Sequence, residues 1–134
     1  MVIRVLVVDD DPSVAPFIRN GLPPEEFLVL DRERESGILG AIASVSPDVL
    51  ILDWALSKRF GSKLCRQVRS VSETRNLSVI MLTGINKASI KTEALDSGAD
   101  DCVAKPLHPD ELAARIRAVL RSRRSELRGR TSRI

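Results

Sequence analysis

The sequence predicts an α/β domain with a doubly wound, five-stranded parallel sheet and helices on both faces. Three observations carry this expectation. Short, wholly apolar runs rich in β-branched residues recur along the chain, and such runs suit strands buried on both faces. Segments with helical apolar spacing lie between them. Strand and helix alternate five times, the signature of a parallel sheet covered on both sides.

The first strand is Val2–Val8, apolar apart from Arg4. The stretch from Pro12 to Asn20 is helical, with Val14, Phe17 and Ile18 on one side and Gly21 as its stop. Phe27–Leu30 is a weaker strand, followed by a helix over Ser36–Val45 that carries Ile38, Leu39, Ile42 and Val45. Val49–Leu52 is the third strand, and the Lys63–Val71 helix shows Leu64, Val68 and Val71. Val79–Leu82 is the fourth strand; the Lys87–Ser97 helix carries Ile90, Ala94 and Leu95 and stops at Gly98. Asp101–Ala104 is the second weak strand. The last helix begins at Pro109, a residue suited to a first turn, where Asp110 and Glu111 complement the helix dipole. Leu112, Ile116, Val119 and Leu120 make its apolar stripe.

A chain of 134 residues fits one compact domain. With three Phe, one Trp and no Tyr, its core must be aliphatic. The net charge of +3 conceals an asymmetry: residues 115–134 hold eight Arg against one Glu, and residues 1–114 hold 13 Lys and Arg against 17 Asp and Glu. The body is mildly acidic and the tail strongly basic, so the overall charge is no argument for a nucleic-acid-binding body. Cys65 and Cys102 form no metal-ligand or redox pair and read as free thiols of a reducing cytoplasm. No stretch approaches the ~20 apolar residues of a membrane span.

In a doubly wound sheet the binding crevice lies at the carboxyl ends of the strands. The first strand runs into Asp9-Asp10-Asp11, the third into Asp53, the fourth into Thr83-Gly84, and Lys105-Pro106 follows the fifth. Asp9, Asp10 and Asp53 in one pocket repel one another, and a hard divalent cation such as Mg²⁺ relieves that repulsion while keeping waters free for a phosphate. One carboxylate is then left to attack phosphorus and form an acyl phosphate. Lys105 supplies positive charge and Thr83 a hydroxyl for the phosphoryl oxygens. Taken singly, each residue has a commoner role as a turn former, cap or loop residue. The four strand ends together favour the chemical reading.

Val7-Val8-Asp9-Asp10-Asp11-Pro12 resembles the opening of bacterial response-regulator receiver domains, the phosphoacceptor modules of two-component systems. Asp48–Asp53, Val79–Gly84, Gly98-Ala99-Asp100-Asp101 and Lys105-Pro106 resemble the same family, so the match covers about residues 2–121. The resemblance implies a flavodoxin-like fold in which Asp53 is the phosphoacceptor. It implies that Asp10 and Asp53 contact Mg²⁺ directly, that Asp9 acts partly through water, and that the Ala55 carbonyl is a further ligand. Lys105 would pair with a phosphoryl oxygen, Thr83 would move toward it, and the peptide before Pro106 would be cis. The donor would be a sensor histidine kinase or a phosphotransfer protein. The domain would be a switch rather than an enzyme, acting only on its own phosphorylation and dephosphorylation.

Two features depart from the family pattern. Cys102 stands where the family usually has Tyr or Phe, so switching is expected to couple through backbone and helix movement rather than a ring flip. Cys102 itself reads as a small buried residue. Ser57-Lys58-Arg59-Phe60 precede Gly61, placing Lys58 and Arg59 near the phosphate pocket, where they are expected to be solvated.

The resemblance implies a homodimer strengthened by phosphorylation, built on the fourth helix, fifth strand and fifth helix, with Lys91, Asp101, Glu111 and Arg115 at matching positions. Residues 122–134 read as a disordered basic tail or the start of an interdomain linker. The chain is expected to be either the N-terminal part of a transcriptional regulator or a stand-alone receiver. Nucleic acid would then be contacted only by a further C-terminal domain or weakly by the tail. Three rival readings stand beside this one. A haloacid-dehalogenase-type phosphohydrolase would use Asp9 as nucleophile, although Ser13 occupies its Thr or Val position and there is no length for a cap domain. A nucleic-acid-binding module would use the tail. A scaffold would lack phosphorylation altogether.

Overall fold

The computed structural model describes residues 1–32, 37–55 and 60–132. In chain order the elements are β1 (Ile3–Val8), α1 (Val14–Gly21), β2 (Phe27–Arg32), α2 (Ile38–Val45) and β3 (Val49–Asp53). They continue as α3 (Phe60–Ser70), β4 (Ser78–Thr83), α4 (Ala88–Asp96), β5 (Asp101–Ala104) and α5 (Pro109–Ser132). All strand pairs are parallel, in the order β2-β1-β3-β4-β5. This is the expected doubly wound sheet, in the flavodoxin-like order.

Alternation along the strands builds two cores. Val5 and Val7 of β1, Val49 and Ile51 of β3, and Ile80 and Leu82 of β4 face α1 and α5, where Ile18, Leu112 and Ile116 meet them. Leu6 and Val8, Leu50 and Leu52, and Val79 and Met81 face the other way, against Ile42, Leu64, Val68 and Ala94 of α2, α3 and α4. Every residue of β3 and β4 is buried, which is why those segments read as continuous apolar runs rather than alternating ones.

The register positions the site. Val8 pairs with Leu52, so Asp9 and Asp53 are the next residues on adjacent strands. Asp53 pairs with Leu82 and Thr83 with Ala104, so Thr83 and Lys105 finish the next two strands beside it.

Several boundaries differ from expectation. β2 runs on through Asp31 and Arg32 because the parallel ladder needs only backbone groups, and an edge strand tolerates polar side chains. α3 starts three residues earlier than its apolar stripe suggests. Gly21 lies within the last turn of α1 rather than beyond it; a Cβ there would sit 2.4 Å from Pro109, so this glycine admits the start of α5. Ser36, the expected start of α2, and Ser57–Arg59 lie outside the described residues. The largest difference is at the C-terminal side. The expected disordered tail is instead helix, continuous with α5 through Ser132. Arginine is a good helix former, and Arg123 ion-pairs with both Asp100 of the body and Glu126 one turn on.

Candidate functional site

Asp9 follows β1 directly. Its backbone amide donates to the Arg32 carbonyl at 3.3 Å, extending the ladder by one rung. Its Oδ1 accepts the Asp11 amide at 2.9 Å, and Asp11 Oδ1 accepts both the amide and the hydroxyl of Ser13, at 2.9 and 2.7 Å. These bonds turn the chain from β1 into α1 and hold the Asp11 carboxyl below its ordinary range. Asp11 is thus committed to the turn, leaving Asp9 and Asp10 for the crevice.

Asp53 ends β3. The next amide, of Trp54, donates to the Leu82 carbonyl at 2.7 Å, so the strand end is pinned to β4. The Ala55 amide donates to Asp53 Oδ1 at 3.3 Å. A Cβ on Gly61 would stand 2.5 Å from the Asp53 carbonyl oxygen and 2.9 Å from Trp54 Cα, so α3 packs hard against the acceptor strand only because Gly61 lacks one.

Carboxylate oxygens of Asp9, Asp10 and Asp53 all lie within 4.8 Å of one another. Asp9 and Asp53 are buried and Asp10 is exposed. Lys105 reaches in from the end of β5, its amide donating to the Thr83 carbonyl at 2.7 Å. Its Nζ is 3.4 Å from Asp9 Oδ2 and 3.8 Å from Asp53 Oδ1. Among the described residues, one ammonium therefore serves two buried carboxylates, with Asp10 beside them. Burial, followed by the charge of Asp9, pushes the Asp53 carboxyl above its ordinary range, against the pull of Lys105 and the Ala55 amide. Among the described residues, the excess negative charge and all-oxygen donor set fit a hard divalent cation, with no Cys or His in the cluster to favour a softer metal.

Thr83, with no exposed surface, ends β4. Its hydroxyl accepts the Ile85 amide at 3.0 Å and lies 3.2 Å from the Ile85 carbonyl. The structure thus brings Asp9, Asp10, Asp53 and Lys105 together. Thr83 stands at the adjacent strand end with its hydroxyl engaged by its own loop, a partnership with no sequence signal. The Lys105–Pro106 peptide is cis. Cys102 is buried among aliphatic neighbours, and burial pushes its thiol up, away from reactivity.

The four residues of the expected dimer face do not all stand free. Arg115 pairs with Asp101 at 2.9 Å and with Glu111 at 3.0 Å inside one chain. Lys91 lies on α4, near enough to act on the Cys102 thiol. The sequence marks Asp100 as part of a family-like motif but gives it no role. This residue accepts the Val79 amide at 2.8 Å and Arg69 at 3.0 Å and ion-pairs with Arg123, tying β4, α3 and α5 at one point.

The family profile of the response regulator receiver domain matches residues 5–117. The chain belongs to that family. This receiver domain is 37% identical over 127 residues to the phosphate regulon transcriptional regulatory protein PhoB of Rhizobium meliloti (strain 1021), a match covering 95% of this chain and 56% of that protein. It is 38% identical over 126 residues to the response regulator MprA of Mycobacterium bovis (strain BCG / Pasteur 1173P2), covering 94% of this chain and 54% of that one. The chain spans about half the length of these curated relatives. Among solved structures, the Francisella response regulator 1452 receiver domain superposes with a TM-score of 0.78 at 29% identity, covering 89% of this chain and 97% of that one. Aspartyl phosphorylation in two-component signalling is the standard function of the family, whose receiver domains interact with histidine kinases or phosphotransfer proteins. No helix among the described residues is long and apolar enough to cross a membrane.

Proposed function

We propose that Asp53 is the phosphoacceptor of this receiver domain and that Asp9, Asp10 and Asp53, with the Ala55 carbonyl, hold Mg²⁺. The observation that carries this reading is the convergence of three carboxylates within 4.8 Å of one another, two of them within 4 Å of the Lys105 ammonium. Magnesium, when bound there, offsets the negative charge of the site and of an incoming phosphoryl group.

Asp53 is the carboxylate best placed to react. It is buried at a pinned strand end, and its raised proton affinity marks a charged form that the site holds at a cost. Its oxygen attacks the phosphorus of a phosphohistidine; the new P–O bond forms as the P–N bond breaks, and the electron pair returns to the imidazole. Lys105 pairs with a phosphoryl oxygen and gives up its contact with Asp53. Thr83 exchanges its Ile85 partners for the phosphoryl group, drawing the loop after β4 inward. Phe17 and Leu107 line an open cavity of about 240 Å³ beside Lys105 and Pro106, an apolar footing for the donor protein.

Output passes through the face of α4, β5 and α5. Arg115 exchanges its internal partners Asp101 and Glu111 for those of a second chain, and Lys91 joins them, giving a two-fold dimer that phosphorylation strengthens. Sedimentation with a phosphoryl mimic tests this step: a monomer at high concentration contradicts it. Residues 1–121 form the receiver and residues 122–134 its basic tail or the start of a linker, in a cytoplasmic regulator.

Intact mass after incubation with Mg²⁺ and acetyl phosphate tests the reading. One added phosphoryl group that requires Mg²⁺ and disappears in Asp53→Asn supports it. A gain that persists in Asp53→Asn contradicts it and favours a phosphohydrolase-like use of Asp9.

A further inference from the structure

We propose that the outer face of α5 is a binding surface for the phosphate backbone of duplex nucleic acid. This surface is independent of the phosphoacceptor site and rests on how the helix sorts its arginines.

Leu112, Ile116 and Val119 recur at four- and three-residue spacing and are buried against the sheet. Arg123 is the next position of that same row. It follows the buried face, is only 17% exposed, and ion-pairs with Asp100. This contact holds the helix to the body past its last apolar anchor. Positions 117, 121, 124 and 128 recur with the same spacing on the opposite side of the helix, and all four are arginine. Arg121 and Arg124 are exposed, and neither has a carboxylate partner among the described residues. Arg117 is already paired with both oxygens of Glu26. The helical backbone carries the row on to position 128.

A rise of 1.5 Å per residue sets positions 117 and 128 about 16 Å apart. That length is enough to reach several phosphates along one strand of a duplex. Arginine forks suit phosphate oxygens, and a helix presents them in a fixed row. Residues 121–132 hold five Arg against one Glu, a density that attracts a polyanion. The other partner classes fit less well. A membrane-surface helix needs an apolar face of its own, and between 121 and 132 the only large apolar residue is Leu127. Single strands are held by aromatic stacking, and α5 has no aromatic residue.

The test is fluorescence anisotropy of the whole chain with a labelled mixed-sequence DNA duplex of about 20 base pairs, titrated with salt. The expected result is weak, sequence-independent binding that falls steeply with salt. In Arg121→Ala/Arg124→Ala the log–log salt slope shrinks by about 1.8, because each phosphate contact contributes ~0.9. Both side chains are exposed and alanine favours helix, so unchanged circular dichroism and unchanged phosphorylation confirm an intact fold. No binding at low salt overturns the proposal, as does a double variant with the wild-type slope. Tighter binding to phosphatidylserine vesicles or to polyglutamate than to the duplex also overturns it, assigning the face to another partner.

Discussion

The ammonium of Lys105 stands 3.8 Å from Oδ1 of Asp53. It is shared with Asp9 at 3.4 Å, so among the described residues the site carries more negative charge than it neutralises. Burial and then the Asp9 charge raise the Asp53 carboxyl above its ordinary value, while its unfolded value is ordinary. The folded state therefore binds this proton more tightly, and ionising Asp53 costs stability. The cost is absent below the ordinary carboxylate range and is complete above the raised folded value. In metal-free buffer, Asp53→Asn is expected to melt above wild type at neutral pH, with the difference closing as pH falls through the carboxylate range. Thermal melts across pH check this; a difference that does not change with pH contradicts it.

The same charge imbalance predicts stabilisation by Mg²⁺. At a hundred times its dissociation constant a ligand that binds only the folded state adds about 2.7 kcal/mol, on the order of 10 °C in a domain of this size. Asp10→Asn removes an exposed carboxylate from the cluster and is expected to abolish most of that shift while leaving the metal-free melt nearly unchanged. Thermal melts with Mg²⁺ and with chelator measure both.

Two glycine substitutions should move in opposite directions. Gly61→Ala sets a methyl group against the Asp53 carbonyl and Trp54 Cα, both backbone. A loss of about 2–3 kcal/mol is expected, with slower phosphorylation because the acceptor strand end must shift. Gly40 lies within α2 with open space around its Cα, and Gly40→Ala should add about 0.5–1 kcal/mol. Denaturant unfolding and phosphorylation rates distinguish the two.

The junction at Asp100 should unfold in two grades. Arg123→Ala removes its ion pairs with Asp100 and Glu126, costing about 1 kcal/mol or less, with faster amide exchange confined to residues 121–132. Asp100→Ala also strands the Val79 amide, while Arg69 keeps its bonds to the Gly98, Arg75 and Leu77 carbonyls, and should cost about 1–3 kcal/mol. Hydrogen exchange of both variants reads the difference.

Much of this was legible in the sequence, for physical reasons. Strands buried on both faces must be continuous apolar runs, so Val49–Leu52 and Val79–Leu82 stood out. The parallel register brings their ends level, so an Asp after each of two apolar runs and a Lys after a third imply one crevice. Contacts made by backbone groups were not legible. The hold of Ile85 on the Thr83 hydroxyl is one, and the packing of Gly61 on Asp53 is another. The helical extension was missed because its arginines read as charge alone. Only the structure turns Arg123 inward to Asp100 while leaving Arg121 and Arg124 outside.

The proposed carrier of the phosphoryl group is Asp53. Borohydride reduction after treatment with Mg²⁺ and acetyl phosphate converts an acyl-phosphorylated aspartate to homoserine, and peptide sequencing by mass spectrometry then locates it. Homoserine at position 53 alone is the predicted result. Homoserine at position 9 or 10, with Asp53 intact, rules out Asp53 as the acceptor.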